Sequence, residues 1–150
     1  MAKEIVTSVE VAADPEHVWE VLTHFESWPD WHPAILEFSG RAAPGERLRF
    51  RSRSPEGGGA ITIKPTVVAA EPGRRLSWHG HFVAPGLFDA THEFRLEPIP
   101  SGTRVIQSER FTGVLVSFLG GIVARTERDN ARGDAGLKQR LERRDGLTTA

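Results

Sequence analysis

Residues 74–113 read RRLSWHGHFVAPGLFDATHEFRLEPIPSGTRVIQSERFTG, and this stretch decides the fold. It contains three runs in which apolar and polar residues alternate, separated by the turn sequences Ala84-Pro85-Gly86 and Pro98 to Gly102. Connections this short permit only antiparallel neighbours, because a parallel crossover needs about a dozen residues or more. The stretch therefore predicts three consecutive strands of an antiparallel meander.

Three further turns extend the meander towards the N-terminus: Ala43-Pro44-Gly45, Ser54 to Gly59 and Glu71-Pro72-Gly73. The five turns together predict six strands between Ile35 and Phe111. Ahead of them, residues 4–11 alternate as a strand, and Asp14-Pro15 supplies a helix cap with proline at the first helical position. The helix that follows, with Trp19 in its apolar stripe, is expected to end before the proline-bounded aromatic turn at residues 28–33.

After Gly113 the pattern becomes helical. Dense alternating charge over residues 125–144 is typical of a long helix with a solvated face. Its apolar stripe consists of Leu115, Leu119, Ile122, Leu137 and Leu141. Glycines at positions 120, 121, 133 and 136 predict a bend or fraying, because each costs about 1 kcal/mol relative to alanine in a helix interior. Residues 145–150 are expected to form a loose tail.

Both the order of elements and several local sequences resemble the SRPBCC or START-like superfamily of polyketide cyclases, dehydrases and lipid-transport proteins. The similar segments are residues 15–22, 28–31, 78–82, 85–89, 92–94, 102–104 and 107–113. The resemblance implies one α+β domain over residues 1–150 with the Bet v 1-like helix-grip fold. In that fold a curved antiparallel sheet of about seven strands wraps around a long C-terminal helix, short helices follow the first strand, and a cavity lies between helix and sheet.

Strand alternation then decides which side chains face the cavity. The apolar faces of the two strands around Pro85 consist of residues 76, 78, 80 and 82 and of residues 88, 90, 92, 94 and 96. Matching these faces places His92 beside Trp78 and sends His79 and His81 to the opposite face, near Asp89. This separation disfavours a zinc site of three histidines, and we expect neither a metal nor another cofactor.

On the last strand, the odd-numbered residues from 103 to 111 are predicted to face inward. A register that pairs Val105 with Phe94 across the two strands would set Gln107 opposite His92. An amide and an imidazole would then meet inside an apolar cavity. That meeting depends on the register, which sequence alone leaves open to a slip.

The same register sets Glu109 opposite Ala90, next to the amide and the imidazole. Burial and mutual contact in such a cluster shift pKa values and orient a ligand oxygen. A buried carboxylate needs a partner, so we expect Glu109 to hydrogen-bond His92, Gln107 or a ligand. The alternative is that Glu109 faces solvent and that His92 is a satisfied core histidine.

The predicted ligand-binding residues combine these polar groups with the aromatic faces and the start of the long helix. Leu115, Phe118, Leu119 and Ile122 are expected to close the roof of the cavity. The full set is Trp78, Phe82, Phe88, His92, Phe94, Gln107, Glu109, Phe111, Leu115, Phe118, Leu119 and Ile122. Trp28 and Trp31 lie either at the cavity mouth or in plain packing, and Trp19 is expected in the core.

Composition narrows the choice of partners. The 19 Lys and Arg residues balance 20 Asp and Glu residues, so no global field draws the protein to nucleic acid or to an anionic membrane. Cysteine is absent, which excludes disulfides and thiolate catalysis, and no apolar run approaches the roughly 20 residues of a membrane span. With no signal-peptide pattern, we expect a cytoplasmic protein without integral membrane association.

One basic stretch remains to be explained. Arg47, Arg49, Arg51 and Arg53 alternate along one predicted strand, without aromatic residues on the same face. We interpret them as a solvated outer face whose charges glutamates on neighbouring strands compensate, and not as a nucleic-acid site. A contact with a protein or a phosphate is the alternative.

Three functions fit these residues. The first is binding or carriage of a small hydrophobic or amphipathic ligand: a lipid, a polyketide-like aromatic molecule or an isoprenoid. The second is a cyclase, dehydratase or isomerase with His92 and Glu109 as acid and base, so the sequence does not decide whether the protein is an enzyme. The third is a protein-interaction module, and an edge strand could also pair in a homodimer.

Overall fold

The computed structural model describes residues 2–82 and 84–149, with the side chains of those residues up to 143. Ten regular elements follow each other along the chain. They are β1 (Ala2–Val11), α1 (Pro15–Thr23), β2 (Ile35–Ser39), β3 (Arg49–Ser52), β4 (Ile61–Ile63), β5 (Thr66–Glu71), β6 (Arg75–Phe82), β7 (Phe88–Ile99), β8 (Gly102–Thr112) and α2 (Gly120–Thr149). Short 3-10 turns at Phe25–Asp30 and Val116–Phe118 precede β2 and α2.

The larger sheet has the order β1-β8-β7-β6-β5, and all of its neighbours are antiparallel. This confirms the meander predicted from residues 74–113. Trp78 pairs with His92 and His81 pairs with Asp89, as the matched apolar faces predicted. The inward face of β8 is also as predicted, because Thr103, Val105 and Gln107 are buried.

The smaller sheet has the order β2-β3-β4. The predicted arginine strand takes part in both sheets: residues 45–48 form backbone hydrogen bonds with residues 65–67 beside β5, whereas β3 pairs with β2 and β4. The predicted six strands between Ile35 and Phe111 are in fact seven. Lys64-Pro65 divides one expected strand into β4 and β5, since proline cannot donate to a ladder.

Helix α1 begins as its sequence predicts. Oδ1 of Asp14 accepts a hydrogen bond from the His17 N–H at 2.8 Å, and Pro15 occupies the first turn. Val18 and Leu22 are fully buried, so the apolar stripe of the helix forms part of the core. Trp19, which we expected in the core, is half-buried and packs against it.

Helix α2 begins later than predicted. The chain forms the 3-10 turn after Leu115, and the α-helix starts at Gly120. It continues through Gly133 and Gly136, so fraying at these two residues is wrong, while the alternative of a bend stays a prediction. The predicted loose tail over residues 145–150 falls on residues whose side chains are outside the described part, although the helix runs to Thr149.

The buried apolar residues form two clusters. The larger joins α1 and the aromatic turn to β2, β6 and β7, and includes Phe25, Trp28, Phe38 and Leu141. The smaller lies where β8 meets the start of α2, around Phe88 and Phe111. Within the described residues, no helix is long and apolar enough to cross a membrane.

Candidate functional site

A cavity of about 460 Å³ lies between the two sheets and α2. Nine of the twelve predicted ligand-binding residues line it: Trp78, Phe82, Phe88, His92, Gln107, Glu109, Phe111, Leu119 and Ile122. Its size and its mixture of aromatic walls with a few polar groups are typical of a small-molecule site.

Three predicted residues lie elsewhere. Phe94 is buried in the core, edge-on to Trp28, and does not line the cavity. Leu115 packs against the smaller apolar cluster. Phe118 is 81% exposed, so its expected position in the roof is wrong. The reason is the late start of α2, because the 3-10 turn changes the direction of the residues before Gly120.

The second wall of the cavity was missed, apart from Trp28, which was expected either at the cavity mouth or in plain packing. It comes from the smaller sheet and the aromatic turn, and its larger members are Trp28, His32, Ile35, Phe38, Phe50, Ile61 and Ile63. Trp28 is almost fully buried and lines the cavity, whereas Trp31 lies outside it. The alternation of Phe38 and Phe50 with polar neighbours was a usable signal, but sequence did not show that their strands curve towards β6.

The register between β7 and β8 differs by two residues from the predicted one. His92 lies opposite Glu109, and Phe94 lies opposite Gln107. The two-residue turn Pro100-Ser101 explains the shift, because it pairs Ile99 with Gly102 and the rest of the ladder follows. A two-residue slip keeps every side chain on its face, so the three polar groups still converge.

His92 and Glu109 form the central pair of the site. Nδ1 of His92 lies 2.8 Å from Oε1 of Glu109, and the two side chains are 11% and 15% exposed. Since an ionised carboxylate can only accept, Nδ1–H is the donor, and in the neutral imidazole Nε2 carries the lone pair. Nε2 is buried and has no hydrogen-bond partner among the described residues.

Neighbours hold this pair in place. The His92 ring stacks on Trp78, with centroids 5.0 Å apart and an interplanar angle of 11°. On the other side, Nδ2 of Asn130 donates to the same Oε1 of Glu109 at 3.4 Å. The ring and the carboxylate are therefore oriented before any ligand arrives, which reduces the entropic cost of binding.

A second polar contact joins β8 to α2. Nε2 of Gln107 donates to Oδ1 of Asp134 at 2.7 Å and to the Asn130 carbonyl at 3.3 Å. Burial raises the pKa of Asp134, and the hydrogen bond from Gln107 opposes that rise. Asn130 and Asp134 were missed because they lie in a charge-rich segment. The available signal was helical spacing. Asp134 lies four residues after Asn130, and Leu137 lies seven residues after it, so all three are on the buried stripe of the helix.

His32 was also missed as a member of the site. Its ring is buried, and Nδ1 accepts a hydrogen bond from the Ala34 N–H at 3.2 Å. Burial, and secondarily the charge of His92, lowers the pKa of His32 to about 4. The ring stacks on Trp28 at 5.7 Å and is neutral near pH 7, so it contributes a polar but uncharged patch to the cavity.

A loop of residues 54–59 borders the mouth and is tied to α2. Glu56 binds Arg128 through two bonds of 2.6 and 2.7 Å, and Arg132 lies 3.1 Å away. The hydrogen bond from Arg128 is the main reason that the pKa of Glu56 is lowered to about 2. Ser54 adds a hydrogen bond of 3.1 Å to Asp129. We call residues 54–59 the mouth loop.

The remaining polar candidates lie outside the site. Nδ1 of His79 is 2.7 Å from Oγ1 of Thr91 on the outer face. In the part of the chain that the structure describes, no three acidic or histidine side chains are grouped to hold a metal ion. Glu37 contacts Arg51 at 3.2 Å and Arg49 at 4.0 Å, which is the compensation expected for the basic strand.

Comparisons with known proteins agree with this architecture. Residues 2–142 match the family described as polyketide cyclase / dehydrase and lipid transport. A comparison with curated proteins gave no match.

Solved structures show the same fold at low identity. The Zhui aromatase/cyclase from Streptomyces sp. R1128 has a TM-score of 0.79 and 18% identity, with 96% of each chain covered. Protein MLL2253 from Mesorhizobium loti has a TM-score of 0.72 and 21% identity, covering 94% of this chain and 98% of that one. The di-domain ARO/CYC StfQ of the steffimycin biosynthetic pathway has a TM-score of 0.75 and 17% identity, and 97% of this chain corresponds to 52% of it. The chain thus spans about half of that di-domain protein.

Proposed function

This chain belongs to the polyketide cyclase/dehydrase and lipid transport family, and we propose that it binds or carries a small hydrophobic or amphipathic molecule in its cavity. The observation that carries the proposal is the cavity of about 460 Å³ with aromatic walls and one oriented polar pair, His92 and Glu109. An open interior of this kind favours a ligand site over a protein-interaction module, for which a filled core would suffice.

The lining suggests the chemistry of the ligand. Trp28, Phe38, Phe50, Trp78 and Phe88 offer flat aromatic faces, which pack well on a ring system or a branched chain. At the inner end, the carboxylate of Glu109 can accept a hydrogen bond from a hydroxyl group. A polyketide-like aromatic, an isoprenoid or a lipid with one polar end meets both conditions, and the aromatic walls favour the first.

Native mass spectrometry of protein purified from its own host tests this proposal. An adduct at near-stoichiometric occupancy, extracted and identified, is the expected result and would name the ligand class. A clean apo mass that persists when fluorescent apolar probes are added would contradict the proposal and direct attention to the protein surface.

Catalysis is the second candidate, and the unpartnered Nε2 of His92 favours it. With Nδ1–H bonded to Glu109, Nε2 keeps its lone pair, but it is buried, so it would take a proton from a carbon next to a carbonyl, or from a hydroxyl, of a bound substrate only after a local movement exposes it to the cavity. The imidazolium formed would keep its Nδ1–H bond to the carboxylate, whose charge stabilises it. In a cyclisation, dehydration or isomerisation, His92 would then be the base and Glu109 the group that orients it.

Substitutions in the site distinguish binding of the ligand from its chemical conversion. If the protein is an enzyme, His92→Ala abolishes turnover of the identified ligand and Glu109→Gln lowers it by about 10²–10⁴-fold. His79→Ala, on the outer face, is the matched control and should leave turnover unchanged. If all three variants and the parent protein return the ligand chemically unaltered, the protein only binds it, and the catalytic proposal fails.

A further inference from the structure

Arg125 differs from the other basic residues near the cavity. It is the only Lys or Arg among the residues that line the cavity in the described structure. Within the described residues it forms no ion pair, and its one hydrogen bond, from Nη1 to the Gly57 carbonyl, is long at 3.4 Å. By contrast, Arg128 and Arg132, further along α2, are both paired with Glu56.

The carboxylates that line the cavity do not form ion pairs with Arg125. Glu109 is bound to His92 at 2.8 Å, and Asp129 is bound to Arg132 at 2.7 Å and to Ser54 at 3.1 Å. The mouth of the cavity therefore holds a cation whose charge the protein does not neutralise. A guanidinium in this state is suited to the planar, two-pronged recognition of a carboxylate or a similar oxyanion.

The inner end of the cavity has the opposite preference. Glu109 carries a negative charge there, and an anionic group beside it would be repelled. Arg125 and Asn130, which contacts Glu109, are five residues apart on α2, so the two ends differ by about 7.5 Å along the helix axis. A ligand about as long as a fused bicyclic ring system could therefore place an anionic group beside Arg125 and a neutral group beside Glu109.

Building on the proposed function, we infer that the ligand is an amphipathic acid whose anionic group binds Arg125 at the mouth while its apolar body lies between the aromatic walls. The positions of Arg125 and Glu109 orient such a ligand with its charge outward. Entry and exit then leave the anion close to water, so the apolar interior never holds an unpaired charge.

Arg125 could instead have a purely structural role, which the experiment has to distinguish from binding of an anion. Its bond to the Gly57 carbonyl also ties the mouth loop to α2, as the pair of Glu56 and Arg128 does. A role in the loop alone would change the affinity for neutral and charged ligands equally. Preference for an acid over its neutral amide is therefore the quantity to measure.

Isothermal titration calorimetry with 2-naphthoate and 2-naphthamide makes that measurement, since the two probes share one ring system. The intact protein is expected to bind the acid roughly fivefold more tightly, the range of a partly exposed ion pair, and the difference should shrink as salt is added. Arg125→Gln removes the preference and Arg125→Lys largely keeps it. Arg128→Gln, which breaks the loop contact without removing a cavity-lining cation, is the matched control and keeps it too.

The outcomes are distinct. Equal affinities for acid and amide in the intact protein, or a preference that survives in a folded Arg125→Gln variant, would overturn the inference while leaving ligand binding intact. Binding of neither probe would count against the proposed function itself, and the inference would fall with it. Circular dichroism of each variant establishes that it is folded.

Discussion

The imidazole of His32 lies so close to Gly133 that a Cβ atom at that position would overlap the ring. About one turn further, a Cβ atom at Gly136 would overlap the carbonyl of Trp31 even more closely. These two glycines let α2 approach the aromatic turn, and they explain why the helix accepts residues of low helix propensity at its centre.

Replacing either glycine by alanine should destabilise the protein. The added methyl group gains about 1 kcal/mol in helix propensity, but it overlaps a buried ring or a backbone carbonyl, and overpacking of this kind costs about 1–3 kcal/mol or more. Gly121→Ala, where the methyl group meets nothing within 4 Å, is the control and should be neutral or slightly stabilising. Urea unfolding of the three variants measures the difference, and a gain in stability for Gly136→Ala would contradict the packing described.

Acidification should weaken the fold through His32. Its pKa is lowered from 6.5 to about 4 in the folded protein, so the unfolded chain binds more protons between these values. The contribution of His32 to the free energy of unfolding is therefore complete above pH 6.5. It falls by about 3 kcal/mol as the pH decreases to about 4. Urea unfolding at a series of pH values should show this loss. His32→Gln, whose amide oxygen can still accept the Ala34 N–H, should lack it; parallel curves for the two proteins would refute the assignment.

Asp134 should have the opposite dependence. Burial raises its folded pKa above 3.8, so the native protein binds more protons just above that value, and stability falls as pH rises through the folded pKa. Asp134→Asn removes the buried charge and keeps an oxygen for the Gln107 bond, so we expect higher stability at neutral pH. Asp129→Asn, which loses the ion pair to Arg132, is the control and should give no gain. Chemical unfolding at pH 7 decides between them.

Breaking the ion pairs of Glu56 should open the mouth loop without unfolding the protein. Glu56→Gln removes the charge that binds Arg128 and Arg132, and these contacts lie at the surface, where their effect on global stability is small. Hydrogen exchange of residues 54–59 should become faster, while the melting temperature stays nearly constant. Glu37→Gln, which weakens a surface pair away from the mouth, should leave the loop unchanged. Unaltered exchange in Glu56→Gln would show that other contacts hold the loop.

Local patterns were sufficient for much of the architecture. Turn sequences and alternation predicted the meander, the Trp78–His92 pairing and the inward face of Gln107, because each depends on a few neighbouring residues. The cost of burying a carboxylate predicted a partner for Glu109, and His92 was one of the three candidates. The predicted register was wrong because the length of the β7–β8 turn could not be read from the stretch Pro98 to Gly102, which offers several turn residues in a row.

The other wall of the cavity depended on tertiary structure. Residues 45–48 bond to residues 65–67 beside β5 while β3 belongs to the smaller sheet, and no local periodicity encodes this division of one predicted strand. Asn130 and Asp134 were obscured for a related reason, since a polar residue on a helix indicates solvent unless the surface opposite it is known. Both become buried partners only once Gln107 and Glu109 face them.

Helix α2 carries both the ion pairs of the mouth loop and Asn130, which contacts Glu109 inside the cavity. Loop closure and occupancy of the cavity are thus two equilibria that share one element. By thermodynamic reciprocity, whatever factor a closed loop adds to the affinity for a ligand, the ligand must add to the population of the closed loop. Any contribution of loop closure to ligand affinity would then fall as ionic strength rises, because salt screens the surface ion pairs that hold the loop.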